Sequence, residues 1–165
     1  MSNINIPARY LPKNLTRKDK KTQIEMLKKS RRFYKKGKYF TRSELPSYKS
    51  KPSNHIVNAR KIYKIDNIVP NKELSEATGC TISALKKIVN KGEGAYFSSG
   101  SRPNQTPQSW GLARLASSIT SGKSAVVDFS IIDKGCSHNK TAYILAKKSK
   151  NKHNNGLRKT RKYKI

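Results

Sequence analysis

The residue types best suited to chemistry in this chain are gathered between Lys91 and Arg102, KGEGAYFSSGSR. Gly92, Gly94 and Gly100 free the backbone, Ser98, Ser99 and Ser101 offer hydroxyls, and Lys91 and Arg102 bring charge. That combination suits an anion-binding nest, and Arg114 on the following helix would add a second guanidinium to the phosphate it holds. The competing expectation is a compact loop whose serines satisfy its own backbone. Arg102, Trp110 and Arg114 could make a stacking and phosphate-gripping surface, against which stands Trp110 as an ordinary core anchor.

Other chemistry is poorly supplied. The nine Asp and Glu are scattered, and neither Asp128 nor Asp133, on or beside an expected strand, is expected to have a histidine partner. A serine nucleophile in the loop with His55 or His138 as base needs spatial neighbours that spacing does not show. No catalytic residue is therefore expected, and an enzyme acting on a phosphorylated substrate is the least favoured class. Cys136 and His138, with Cys80 or His153, lack a CxxC pair or zinc spacing, so neither a metal nor a cofactor is expected. SGKS at 121–124 ends as a P-loop does, but Ser117 stands where glycine is required.

Charge is the dominant property. Across 165 residues there are 37 Lys and Arg against 9 Asp and Glu, a formal net charge of +28. Such an excess repels itself unless a polyanion neutralises it, and arrayed phosphates do so with release of counterions. Nucleic acid, duplex DNA first, is the expected partner, ahead of an anionic membrane surface. No apolar run is long enough to span a bilayer, so no membrane insertion is expected. Two cysteines make no disulfide framework, and a reducing compartment is the corresponding expectation.

The elements that must position these groups read as follows. Residues 1–15, with Pro7 and Pro12, form an extended arm. Thr16 with Asp19 resembles a capping box and opens a helix from about Arg17 to Lys36, stopped by Gly37. Lys28, Lys29, Arg31, Arg32, Lys35 and Lys36 on this helix are candidate nucleic-acid contacts. Residues 38–53 read as a linker, and a short helix follows from Ser53, although IYKIDNIV has strand character. Asn71 opens a helix, Gly79 turns the chain, and Thr81 caps a second helix with Leu85, Ile88 and Val89 inward and Ser83, Lys86, Lys87 and Asn90 outward. Thr106 and Pro107 start another helix to about Thr120. SAVVDFSII (124–132) and TAYILA (141–146) read as strands of a small sheet. Residues 147–165, with nine basic residues and no acidic ones, read as a disordered tail in which Arg158 and Arg161 reach for phosphate.

The window from Asn71 to Asn90 resembles the helix-turn-helix of the lactose-repressor type, with Ser75, Gly79, Leu85 and Ile88 at the pattern's fifth, ninth, fifteenth and eighteenth positions. Thr78 departs from it, since an apolar residue is usual there. Nearly the whole chain also resembles a family of small basic proteins from giant nucleocytoplasmic DNA viruses, with looser relatives in tailed phages. RYLPK (9–13), KDKKTQIEMLKKSR (18–31), TGC (78–80), KGEGAYFSSGSRPNQT (91–106), SWGLARLASSIT (109–120) and VVDFSIIDKGC (126–136) carry that resemblance. It implies a viral origin and a virion location, reached through host cytoplasm or nucleus, and supplies no activity.

The sequence thus predicts an α+β, mostly helical chain with a small β-sheet and basic flexible arms. Its divisions are a basic arm and helix (1–52), a compact core (53–146) and the tail (147–165). The expected function is non-enzymatic DNA packing in a virion through phosphate contacts. The alternative is a minor capsid or internal structural protein whose basic arms meet capsid proteins.

Overall fold

The computed structural model describes residues 4–154, 156–157 and 159–165. The chain is mostly helical with one small antiparallel sheet. It forms two compact units from interleaved segments. Unit 1 comprises Met1–Lys51, Glu93–Trp110 and Arg158–Ile165, and unit 2 comprises Pro52–Gly92 and Gly111–Leu157.

In unit 1, strand β1 (Asn5–Pro7) leads through a single 3-10 turn (Ala8–Tyr10) to helix α1 (Arg17–Lys35). The Thr16 hydroxyl accepts from the Asp19 N–H at 3.2 Å, as an N-cap should. The reciprocal half of the capping box is rerouted. Thr16 N–H donates to Ser47 Oγ, and the Ser47 hydroxyl and N–H both donate to Asp19 Oδ2, at 2.5 and 2.9 Å. Asp19 is too short to reach back itself, so a residue from the 38–53 segment completes the cap. The same bonds from Ser47 hold the Asp19 carboxyl below the usual carboxylate range.

The tail expected to be disordered returns to unit 1. Strand β2 (Lys162–Lys164) pairs with β1 in the register Asn5↔Lys164, Ile6↔Tyr163 and Pro7↔Lys162. A two-stranded ribbon is marginal alone. Here Ile6 is buried with Tyr10, Leu11 and Leu27, and Ile4, Ile24, Trp110, Tyr163 and Ile165 pack around them. The arms are therefore the source of the sheet, because their few apolar residues find cover against one another, α1 and Trp110.

Unit 2 begins with helix α2 (Asn54–Tyr63) and helix α3 (Lys72–Thr78), whose N-cap Asn71 accepts from Leu74 N–H at 2.8 Å. Gly79 turns the chain at φ 78°, and Thr81 Oγ1 accepts from Ala84 N–H at the start of α4 (Ile82–Ser98). Leu85 and Ile88 are buried and Val89 half-buried, as their spacing predicts. Thr78 is buried too. Its hydroxyl donates to Leu74 O and accepts from Cys80 N–H, so it closes the turn with bonds an apolar residue could not make.

Helix α5 (Pro107–Ser118) starts at a reciprocal cap between Thr106 and Ser109. The two predicted strands are helices: α6 (Lys123–Val127) and α7 (Phe129–Gly135) replace the first, and α8 (Thr141–Lys152) the second. The reason lies in what is buried. Ala125, Asp128 and Ile132 are inside at spacings of three and four, as are Ala142, Ala146 and Ser149, while Val127 and Ile144 are exposed. Burial at helical spacing, on mostly small residues with Ile132 among them, marks the inner face, while Val127 and Ile144 face out.

Cys80 and Cys136 are joined by a disulfide, a bond that the expectation of a reducing compartment did not anticipate. The backbones meet as an antiparallel bridge, with Thr81 N–H donating to Gly135 O and Ser137 N–H to Gly79 O, both at 2.8 Å. Closing a loop over a separation of 56 residues contributes about 2–4 kcal/mol.

Candidate functional site

The stretch that reads as a glycine and serine loop is mostly helix. Glu93 to Ser98 continue α4, because Gly92 and Gly111 let α4 and α5 cross closely: a Cβ on Gly92 would lie 2.6 Å from Gly111 Cα. The true turn is at Gly100, whose φ of 122° excludes side-chain residues and whose missing Cβ makes room for Leu27 and Tyr10.

The residues of the expected phosphate loop fall in both units. Lys91, Gly92 and Arg114 belong to unit 2, while Gly94, Ser98, Ser99, Ser101 and Arg102 belong to unit 1. Arg114 is already engaged, with Nη2 at 2.7 Å from Asp128 Oδ1 and Nε at 3.0 Å from Oδ2. Ser118 donates to the same fully buried carboxylate, and Lys91 Nζ stands 3.7 Å away. Ser101 is buried, accepts from Arg42 and donates to Arg102 O; Arg102 itself is exposed. Trp110 packs edge-on against Tyr10, at 6.0 Å between centroids, as a core anchor.

Unit 1 instead contains a groove of about 990 Å³. Its walls come from β1 (Ile4, Asn5, Pro7) with Arg9 and Tyr10, from α1 (Glu25, Lys28, Arg31, Arg32, Lys35), from the end of α4 (Ser98, Ser99), and from Thr160 and Lys162. Six cationic side chains thus line it against one carboxylate. Lys28, Arg31 or Arg32, and Lys35 follow one another at helical spacing, so they form a row about 10 Å long on α1.

Arg31 is the best fixed of them. Nε donates to Ser99 O and Nη1 to Asn5 O, both at 2.9 Å, which ties α1 to both the α4 end and β1. Behind the groove wall, Arg42 is only 8 % exposed. Its Nη1 donates to Ser30 Oγ and Tyr96 O and its Nη2 to Ser101 Oγ, all at 2.9 Å, and the guanidinium lies 3.8 Å from the Tyr96 ring centroid. Among the described residues no carboxylate pairs with either arginine. Burial lowers the pKa of both, yet arginine stays charged at any ordinary pH.

The remaining predicted contacts are dispersed. Lys29 lies over the Phe40 ring at 4.3 Å, Lys36 caps α1 in solvent, and Ser83, Lys86, Lys87 and Asn90 are exposed on α4 in unit 2. Arg161 is exposed beside Tyr163 and its carbonyl accepts from Ala8 N–H, while Arg158 lies outside the described residues. Sequence reasoning missed Arg9, Lys162 and Arg42. The first two become neighbours only through strand pairing; Arg42 sits in an apparent linker with no periodicity to mark it.

A family model matches residues 7–137, most of the chain. The chain belongs to DUF5824, a family of unknown function. The DUF5824 match takes in the α1 row, the Gly79 turn, both cysteines and the Arg114–Asp128 pair, and stops before α8 and β2. No curated protein and no solved structure matches the chain. Among the described residues no helix is long and apolar enough to cross a membrane, and no group of three or more His, Cys, Asp or Glu could hold a metal ion.

Proposed function

We propose that this protein binds nucleic acid through phosphate contacts, without catalysis, and packs or organises DNA in a virion. The observation that carries the reading is the unit 1 groove, with six Lys and Arg side chains facing one Glu. Unit 1 holds 22 Lys and Arg against 4 Asp and Glu, and unit 2 holds 15 against 5, so the excess is concentrated where the groove is. Contacts of this kind supply affinity and position without reading sequence. The resemblance to basic proteins of DNA viruses supports the virion setting, and a disulfide persists in such a particle outside the reducing cytosol.

The test is a titration of the full chain against duplex DNA over a range of salt. Lys28→Ala, Arg32→Ala and Lys35→Ala combined should weaken binding and flatten the plot of log K against log salt, by up to about 0.9 for each phosphate no longer neutralised. An unchanged slope overturns the groove as the binding surface. Recovery of the chain with the shell of purified particles after genome removal would instead favour the minor capsid role.

A further inference from the structure

Beside the groove, unit 1 exposes aromatic rings that the phosphate reading leaves unused. Tyr39 is 70 % exposed and Tyr34 41 % exposed. Tyr39 packs on Phe97 with centroids 4.9 Å apart and planes tilted by 48°, and Tyr34 follows at 6.4 Å and 52°, so the three rings form a stepped ledge. The ledge is anchored: Ser30 Oγ donates to Phe97 O at 3.1 Å, tying α1 to the end of α4 beneath it.

Its position relative to the groove follows from the chain. Tyr34 lies three residues beyond Arg31 on α1, which puts the two side chains on neighbouring positions of one helix face, and Arg31 lines the groove. Lys36 and Lys38 flank the rings in sequence and are exposed. An apolar surface set among lysines suits a partner that is itself aromatic and anionic, since an ordinary apolar protein segment would leave those charges unanswered.

We propose that unit 1 captures single-stranded nucleic acid, with the phosphates running in the groove and unpaired bases stacking on Tyr39 and Tyr34. This deepens the phosphate-binding reading and rests on it. In a duplex both faces of each base are covered by neighbouring pairs, so phosphates remain available to the groove but base faces do not reach the ledge. In a single strand each base has a free face, and stacking is indifferent to which base it is. The ledge therefore adds affinity for unpaired strands that the groove alone does not distinguish.

The experiment compares the full chain and two variants on an oligothymidylate of roughly 16 nucleotides and on a duplex of the same length. Tyr39→Ala should weaken the single strand by roughly 5- to 150-fold and leave the duplex unchanged. Tyr39→Phe, which keeps the ring, should bind both as the natural protein does. A strand of abasic sites, with the phosphates but no bases, should bind the natural protein no better than it binds Tyr39→Ala. Equal weakening on both forms, or none on either, overturns the ledge. If the combined Lys28, Arg32 and Lys35 variant still weakens both forms while Tyr39→Ala is silent, the ledge fails and the phosphate groove stands. If that groove variant changes neither, the underlying reading fails as well.

Discussion

Arg42 in unit 1 and Arg114 in unit 2 are both largely withdrawn from water, and they are answered in opposite ways. Arg114 meets the fully buried carboxylate of Asp128 in a two-pronged pair, with Ser118 completing the acceptor. Arg42 meets only hydroxyls, a carbonyl and a ring face. A carboxylate cancels the field of the cation it binds; a carbonyl stabilises the cation and leaves its net charge in place. Unit 2 therefore uses a buried ion pair to hold its helices, whereas unit 1 is held in part by a buried cation with no counter-charge bonded to it.

The apolar cores differ in the same direction. Unit 2 buries a cluster running from Ala59 through Leu85, Leu115 and Ile132 to Ala146, and adds the disulfide. The corresponding cluster of unit 1 is Ile6, Tyr10, Leu11 and Leu27. With less apolar burial to stabilise it, unit 1 depends on polar cross-ties such as Asn104, which bonds Leu45 and Tyr48, and Gln23, which donates to Tyr10 O.

The contrast can be broken most severely at Asp128. Asp128→Ala leaves Arg114 without its counter-charge, and unfolding by denaturant should show a loss of about 3–5 kcal/mol. A loss below about 1 kcal/mol would mean the pair is not what secures unit 2.

In unit 1 the corresponding change is Arg42→Lys, which keeps the charge and removes the fork. A single ammonium cannot serve Ser30, Tyr96 and Ser101 together, so stability should fall by about 1–3 kcal/mol. Unchanged stability would show that charge alone, and not the geometry of the guanidinium, holds these segments together.

The smallest effect concerns the rerouted cap. Because Ser47 lowers the folded pKa of Asp19, its contribution is fully present above the ordinary carboxylate range, near about pH 4, and is lost as pH falls through the lower folded value. Asp19→Asn should therefore lower the neutral plateau of a stability profile and flatten its acid limb, so that variant and natural protein converge well below about pH 4. An acid limb identical to that of the natural protein would refute the assignment.

Much of this was legible residue by residue. The caps at Thr16, Asn71, Thr81 and Thr106, the inward face of Leu85 and Ile88, and the mostly helical class all follow from signals three or four residues apart. The helices at 123–135 and 141–152 carried their signal in Ala125, Asp128, Ala142 and Ser149, small or polar residues that a search for bulky apolar alternation passes over. The loop at 91–102 misled because its glycines are also what a close helix crossing requires.

What the sequence by itself determined is local or additive: helix starts, helix faces, and a formal net charge of +28. Only the tertiary structure decided that Cys80 meets Cys136, that the arms pair as β1 and β2, that Arg114 belongs to Asp128, and that Arg9, Lys162 and the α1 row face one groove. The physical reason is distance along the chain. A cap or an amphipathic face is settled by backbone geometry within a turn, whereas a groove, a disulfide or a buried arginine depends on which remote segments gain most by covering one another.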